Sequence, residues 1–128
     1  MRLFQDMRLI LLLFVMIGGF LIVSGIDTMC VVPTDGQSYP RSITLCKGNY
    51  GLKEGIALEG EGIALDCNGS QIKGAYSGRG ITLKGKEISV RNCDVENYES
   101  AIAFDSAQRS VVRDSILSRS VNAVSLVD

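Results

Sequence analysis

Four of the eight aspartates of this sequence are the candidates for acid–base or metal chemistry. They are Asp66, Asp94, Asp105 and Asp114. Paired carboxyl groups can act as general acid and base, and carboxylate oxygens can hold calcium. The internal repeat of the chain places Asp66 beside Arg91 and Asp105 beside Lys84, which favours surface ion pairs instead. Histidine is absent, so the commonest general base and metal ligand is missing. We therefore expect no catalytic residue, no metal site and no cofactor.

Three tyrosines form a second group with regular spacing. Tyr76 and Tyr98 lie 22 residues apart, each just ahead of a strand that opens a repeat, and Tyr50 has a similar place ahead of the first repeat. A row of tyrosines could stack on sugar rings, because each ring has an apolar face and a polar tip. In the alternative interpretation, each ring only covers the turn beneath it. The first interpretation makes Tyr50, Tyr76 and Tyr98 ligand-binding residues.

The four cysteines, Cys30, Cys46, Cys67 and Cys93, all follow the hydrophobic N-terminal segment. Disulfides form in the oxidising environment that an exported protein meets. Cys30 and Cys46 flank the segment expected to cover one end of the fold, and a disulfide between them would contribute about 3 kcal/mol. Cys67 and Cys93 lie on corresponding turns of adjacent repeats, so they either form a second disulfide or pack inward as thiols. No C-x-x-C spacing occurs, which disfavours zinc.

The tripeptide Asn68-Gly69-Ser70 matches the acceptor pattern for N-glycosylation. Asn68 is therefore a candidate modification site in an exported protein. Gly69 is expected to form a tight turn, and Asn68 has the alternative role of holding that turn together.

The first 25 residues differ sharply from the rest of the chain. Two arginines precede an apolar run over residues 9–23. A membrane-spanning helix needs roughly 20 apolar residues, so this shorter run is typical of a signal peptide. Residues 1–25 are predicted to form a hydrophobic helix, either a cleaved signal peptide or an uncleaved anchor over residues 9–26. Both alternatives place the rest of the chain outside the cytoplasm, secreted or held at the membrane.

The charges nearly cancel, with 13 basic and 14 acidic residues. Such a chain has no large positive field to attract nucleic acid, so nucleic-acid binding is not expected. Contact with a membrane is expected only through the N-terminal segment.

A repeat begins at Gly55 and continues to the last residues. Four segments alternate small and apolar residues, a pattern typical of a strand with one buried face. They start at Gly55, Gly80, Ala101 and Ala123, at spacings of 25, 21 and 22 residues. Two further short strands follow the first in each repeat, and no segment carries a helical apolar stripe. The period predicts an all-β parallel β-helix, or β-solenoid, of about three coils.

Stacked coils place equivalent residues of successive repeats directly above one another, about 4.8 Å apart. Two columns are predicted to face inward: Ile56, Ile81, Ile102 and Val124, and Leu58, Leu83, Phe104 and Leu126. A further series of equivalent apolar residues comprises Ile72, Val95 and Leu117. The outward column of Glu59, Lys84 and Asp105 alternates in charge, which suits stacking because opposite charges attract across neighbouring strands.

The predicted coils span residues 55–79, 80–100 and 101–122, and an incomplete coil starts at residue 123. Residues 26–54 are predicted to form an N-terminal cap. A coil that stops at Asp128 would leave an apolar strand edge unpaired. We therefore expect the solenoid to continue beyond residue 128, as part of a longer protein.

Two segments resemble a known group of proteins. Residues 65–74, LDCNGSQIKG, resemble the LDCNG-x-x-I-x-G segment of NosD-like and pectin-lyase-like proteins, and residues 90–98, VRNCDVENY, are similar to their V-x-N-C-x-V-x-N-[YF] coil. Residues 43–50 resemble the capping segment that precedes the first coil. The resemblance covers about residues 43–128 and implies a right-handed parallel β-helix. It leaves the activity open, because this scaffold hosts lyases, hydrolases, epimerases and non-enzymatic surface proteins.

Two features separate this chain from members of known chemistry. Copper-linked NosD-like proteins imply a metal role, which is not carried over to a chain without histidine. Polysaccharide-cleaving members place acidic or basic residues outward on the first strand column, where this chain has Ala57, Thr82, Ala103 and Ser125. We therefore expect a non-catalytic surface module that interacts with polysaccharide or a cell-surface glycan. The alternative is the N-terminal part of a polysaccharide lyase or glycoside hydrolase whose catalytic coils lie beyond residue 128.

Overall fold

The computed structural model describes residues 29–127, and within that range it contains thirteen β-strands and no helix. The strands are β1 (Ser38–Tyr39), β2 (Ile43–Thr44), β3 (Asn49–Gly51), β4 (Ile56–Glu61), β5 (Ala64–Asp66), β6 (Gln71–Lys73), β7 (Arg79–Lys86), β8 (Ser89–Arg91), β9 (Asp94–Glu96), β10 (Ser100–Asp105), β11 (Val111–Arg113), β12 (Ile116–Ser118) and β13 (Asn122–Val127). Every pairing between them is parallel. The fold is therefore an all-β parallel β-solenoid.

Three sheets form the walls of the solenoid, and each full turn contributes one strand to each sheet. The first sheet has the order β1-β4-β7-β10-β13, the second β11-β8-β5-β2 and the third β12-β9-β6-β3. The chain turns at three corners in each turn of the solenoid. The first corner connects the first sheet to the second, the second corner connects the second sheet to the third, and the third corner connects the third sheet back to the first. Consecutive strands lie in different sheets, so the repeat period of the sequence corresponds to one complete turn.

The register confirms the predicted stacking of the columns, whose last members, Val124 and Leu126, are 45% and 78% exposed. Ile56 pairs with Ile81, Ile81 with Ile102, and Ile102 with Val124. The columns that start at Leu58 and Ile72 continue in the same way through the predicted residues. Ile81 and Ile102 are completely buried, and each such side chain contributes roughly 1.5–3 kcal/mol of burial free energy. Alternation along each strand is what directs one set of side chains into this core.

The solenoid has about four turns, one more than predicted. β1, β2 and β3 lie within residues 26–54, expected to be only a cap, and they pair with β4, β5 and β6. These first-turn strands are two or three residues long, too short to show the alternation that marks the later repeats. Ahead of them, Val31 pairs with Leu45 through an isolated parallel bridge.

Left-handed backbone conformations turn the chain at the corners. Asn92 and Asp114 have φ angles of 58° and 50° at the second corner of successive turns, as their spacing predicts. Asn and Asp tolerate this conformation because their short polar side chains bind the local backbone.

Serine hydroxyls also connect the fourth turn to the third. Ser110, Ser115 and Ser120 accept hydrogen bonds from the backbone N–H groups of Ile88, Cys93 and Tyr98.

Two disulfides cross-link the solenoid. Cys30–Cys46, the predicted pair, is confirmed and ties the segment before β1 to the second corner of the first turn. Cys67–Cys93, which the sequence left open, joins the second corners of adjacent turns, with Cα atoms 4.9 Å apart. Disulfides persist in oxidising compartments, so both bonds indicate an extracytoplasmic environment.

Within residues 29–127, no helix is long and apolar enough to cross a membrane. The hydrophobic helix predicted over residues 1–25, as signal peptide or anchor, lies outside the described residues.

Candidate functional site on the outer face of the third sheet

Of the four aspartates considered, Asp94 and Asp114 line the same concavity at the second corner, whereas Asp66 and Asp105 are engaged in ion pairs. Asp66 forms the predicted ion pair, with Oδ2 3.3 Å from Arg91 Nε. Asp105 does not form the predicted ion pair with Lys84. Asp105 Oδ2 is 3.2 Å from Arg79 Nη1, while Lys84 Nζ is 3.8 Å from Glu59 in the turn below. In the part of the chain that the structure describes, no three acidic or cysteine side chains gather into a possible metal site.

Tyr98 lies inside the solenoid, so its predicted role in stacking on sugars is wrong. The residue is 1% exposed, and its hydroxyl donates a hydrogen bond to the carbonyl oxygen of Leu52. The ring packs where Gly74 and Gly80 have no side chain, since a Cβ at either position would overlap it. Two glycines thus create the space that draws this ring inward.

Tyr50 lies within β3 and does not occupy a corner. It pairs with Ile72, an inward residue of the next turn, and it packs half-buried against the core. Its hydroxyl donates a hydrogen bond to the carbonyl oxygen of Cys46. The ring therefore covers the second corner of its own turn, which agrees with the alternative interpretation of the tyrosines and not with a sugar-stacking row.

Tyr76 is the exposed tyrosine of the predicted row, with 72% of its surface accessible. The third corner that contains Tyr76 is five residues long (74–78), whereas the third corner of the next turn is three residues long (97–99). Tyr76 has a φ of 67°, which is uncommon for an aromatic residue. A hydrogen bond of 2.8 Å from its N–H to the carbonyl oxygen of Asn97 holds it there. The longer corner thus presents this ring to solvent.

Polar side chains line the outer face of the third sheet next to Tyr76. In β6 and β9, Ile72 and Val95 point inward and their neighbours outward. These neighbours are Gln71, Lys73, Asp94 and Glu96, and together with Tyr76 we call them the third-sheet face. The backbone N–H of Tyr76 is hydrogen-bonded to Asn97, the residue after Glu96, so the backbone of Tyr76 lies next to the end of β9.

Glu96 is the centre of the third-sheet face. It is 9% exposed, and its Oε1 accepts a hydrogen bond of 3.1 Å from Gln71 Nε2. Lys73 Nζ and Arg119 Nε each lie 4.0 Å from its carboxylate. These interactions hold the Gln71 amide and the Glu96 carboxylate in fixed positions.

The third-sheet face has the groups needed to bind a polyhydroxylated ligand. An aromatic ring offers an apolar surface to the C–H groups of a sugar. Gln71 and Lys73 offer donors and an acceptor for hydroxyl groups, and the largely buried Glu96 holds both of them. Sequence analysis missed these three residues, although each directly neighbours a residue of the inward column in its strand. The alternation of β6 and β9 was the signal that would have placed them outward.

Asn68 lies exposed at the second corner of the second turn, with a φ of 55°. Its backbone N–H donates a hydrogen bond to Asp66 Oδ1, and asparagine tolerates the left-handed conformation that this turn requires. Ser70, the third residue of the glycosylation pattern, is 1% exposed. Its hydroxyl donates to the carbonyl oxygen of Cys46 and accepts from the N–H of Gly48. Glycosylation of Asn68 stays a prediction, and an enzyme that needs the Ser70 hydroxyl would have to act before this corner folds.

No protein-family model, curated protein or solved structure matches this chain.

Proposed function

We propose that this chain is a non-catalytic, extracytoplasmic β-solenoid module that binds carbohydrate through the third-sheet face. Tyr76 carries the proposal, because its ring is 72% exposed while its backbone is held at a φ of 67°. Such a backbone conformation costs of order 1–3 kcal/mol, and an exposed ring forgoes the free energy of burial. A ligand that covers the ring accounts for both costs.

The surroundings of Tyr76 favour a sugar as that ligand. Sugar rings present C–H groups on one face and hydroxyl groups at their edges, which matches an aromatic ring beside fixed polar groups. Gln71 and Glu96 already hold each other through a hydrogen bond of 3.1 Å. Both residues belong to the same outer side of the sheet as Lys73. The third-sheet face is therefore pre-organised for hydroxyl recognition.

Binding without cleavage agrees with the environment of Asp66, a carboxylate that the sequence offered for acid–base chemistry. A glycosidase pair needs one carboxyl group that carries a proton. Burial acts to raise the pKa of Asp66, but hydrogen bonds from Asn92 and Asn68 and the charge of Arg91 hold it below its usual value. This carboxyl group therefore suits an ion pair and not proton donation.

The family assignment is also a proposal, namely a right-handed parallel β-helix of the NosD-like or pectin-lyase-like type. The resembling segments support it by their position. LDCNG runs from β5 into the second corner of the second turn, and VRNCDVENY runs from β8 through the same corner of the next turn and β9. The two cysteines of these segments form the Cys67–Cys93 disulfide. Secretion, or attachment to the membrane through residues 9–26, completes the proposal.

A glycan array with the exported chain, both disulfides formed, tests this function. We expect Tyr76→Ala to weaken binding to the glycans that the unmodified chain retains by at least tenfold, about 1.4 kcal/mol. Tyr76→Phe keeps the ring and is expected to bind within about threefold, less than 1 kcal/mol. Val32→Ala removes another exposed apolar side chain, 64% accessible and located before the first strand, and serves as the matched control.

Two results would contradict the proposed function. One is binding by Tyr76→Ala that equals binding by the unmodified chain. The other is the appearance of shorter oligosaccharides when retained glycans are incubated with the protein, because cleavage would make the module an enzyme.

A further inference from the structure

A groove of about 420 Å³ lies on the outer face of the second sheet, and its lining shares no residue with the third-sheet face. The segment from Met29 to Val31 forms one side of it. The other side is formed by strands β2, β5 and β8 and by the residues just before β2. We call it the Arg41–Arg91 groove, after the two cationic side chains in its lining.

The Arg41–Arg91 groove has an excess of positive charge. Its lining contains two arginines and one carboxylate, Asp66. Arg91 Nε lies 3.3 Å from Asp66 Oδ2, so these two charges offset each other. Arg41 is exposed and has no ion-pair partner among residues 29–127. Its guanidinium group therefore leaves the groove with a net positive charge.

A third arginine extends this charge along the sheet. Arg113 of β11 pairs in register with Arg91 of β8, and like charges opposite each other on neighbouring strands destabilise a sheet. The outward residues of this sheet other than Asp66 and the two arginines are uncharged, namely Ser42, Thr44, Ala64, Ser89 and Val111. Asp66 offsets part of this repulsion at Arg91, and an anion bound beside Arg91 would offset more of it.

Uncharged donors accompany the arginines in the groove. Ser42 Oγ accepts the N–H of Ala64 at 2.9 Å, which orients the hydroxyl and leaves its proton to donate. The side chain of Thr44 also belongs to the lining and is exposed. Ser42, Thr44, Arg41 and Arg91 thus line one concavity, together with the Asp66 carboxylate that pairs with Arg91.

We propose that the Arg41–Arg91 groove binds a tetrahedral oxyanion, a phosphate or sulfate group. Guanidinium groups bind oxyanions through two parallel hydrogen bonds. Donors that approach from several directions match a group with three or more acceptor oxygens better than a planar carboxylate with two. This site is separate from carbohydrate binding at Tyr76, so either can fail without the other.

A titration of the isotope-labelled exported chain with inorganic phosphate, and separately with inorganic sulfate, tests the groove by the amide chemical shifts of Ser42, Thr44, Ala64 and Arg91. Chloride keeps the ionic strength constant, because screening alone changes weak surface interactions. We expect saturable shifts at these amides and an affinity at least tenfold weaker in Arg41→Gln. Arg109→Gln is the matched control, since its exposed guanidinium pairs with Glu87 at 3.2 Å outside the groove.

Arg41→Gln loses no ion pair seen in residues 29–127, so unchanged amide shifts elsewhere are expected to show that it folds normally. Tighter binding of phosphate than sulfate would identify a phosphate ester as the natural ligand group, and the reverse a sulfate ester. Acetate is expected to bind more weakly than either. Shifts that do not saturate, acetate binding as tight as both tetrahedral anions, or full affinity in folded Arg41→Gln would overturn the proposal.

Discussion

The hydroxyl of Tyr98 donates a 2.5 Å hydrogen bond to the carbonyl oxygen of Leu52, 46 residues earlier in the chain. Leu52 follows the third strand of the first turn, and Tyr98 follows the third strand of the third turn. The bond therefore spans the whole second turn at the third corner. Burial, together with the charge of Asp35, raises the pKa of Tyr98 well above its usual value. The phenol keeps its proton and remains a donor throughout the physiological pH range.

Replacement of Tyr98 by Phe should lower the free energy of unfolding by about 1–2 kcal/mol, because a buried hydrogen bond is lost while the ring is kept. Tyr98→Ala should cost about 3–5 kcal/mol, because it also leaves a cavity. Urea unfolding measures both changes. Tyr76→Ala is the control on the exposed tyrosine and should change stability by less than about 0.5 kcal/mol. Equal stability of Tyr98→Phe and the unmodified chain would show that the bond contributes nothing.

Gly74→Ala should destabilise the chain by about 2 kcal/mol or more, because overpacking strains a filled interior. A Cβ at this position would lie 2.5 Å from the carbonyl oxygen of Asn97 and would overlap the Tyr98 ring. Gly51→Ala is the matched control, since a Cβ there meets no atom within 4 Å. Thermal unfolding of the two variants checks the difference. Similar midpoints for both would mean that the Tyr98 ring can move aside freely.

The pKa of Asp66 predicts part of the acid sensitivity of the fold. Burial acts to raise this pKa, and the hydrogen bonds from Asn92 and Asn68 and the charge of Arg91 lower it further than burial raises it. A carboxyl group with a lowered folded-state pKa contributes stability that is full above its unfolded value, about 3.9, and that disappears as the pH falls through the folded value.

Asp66→Asn should therefore lower stability at neutral pH and flatten its decline below about pH 4. Urea unfolding at a series of pH values from neutral to strongly acidic gives the free energy of unfolding of both proteins as a function of pH. Asp114→Asn, at the same corner in the fourth turn, provides a control on an exposed aspartate. Parallel pH profiles for Asp66→Asn and the unmodified chain would contradict the assigned role.

The two disulfides should differ in how fast a reductant reaches them. Cys67 and Cys93 are 0% and 2% exposed, whereas Cys30 is exposed on the segment before β1. Thiol–disulfide exchange requires access to a sulfur atom. A short pulse of reductant, followed by alkylation and peptide mass analysis, should label Cys30 and Cys46 first. Earlier labelling of Cys67 and Cys93 would show that the second corner opens more readily than the N-terminal segment.

Removal of either disulfide by paired Cys→Ala substitution should cost about 3 kcal/mol, because the closed loops are of similar length and loop-closure entropy grows slowly with length. Urea unfolding of the two double variants measures the costs. A much larger loss for the Cys67–Cys93 pair would point to packing of the bridge within the core as an additional contribution.

The stacking of Ile56, Ile81 and Ile102 was determined by the sequence itself. Each residue is flanked by small or glycine residues in a strand-like alternation, and burying one face of such a strand leaves one register available. The corner positions of Asn92 and Asp114 could also be predicted from the sequence, because their short polar side chains bind the local backbone. The first turn could not be predicted from the sequence, because β1 and β2 contain two residues each and are too short to show the alternation of a strand.

Whether Tyr76 and Tyr98 are exposed or buried was decided only by the tertiary structure. Both precede a repeat and lie 22 residues apart, yet one ring is 72% exposed and the other 1%. Burial depends on which backbone atoms pair across neighbouring turns and on the space left at Gly74 and Gly80. The spacing of two residues in the sequence gives only their separation along the chain. A long-range contact such as that of Tyr98 with Leu52 depends on how several turns stack.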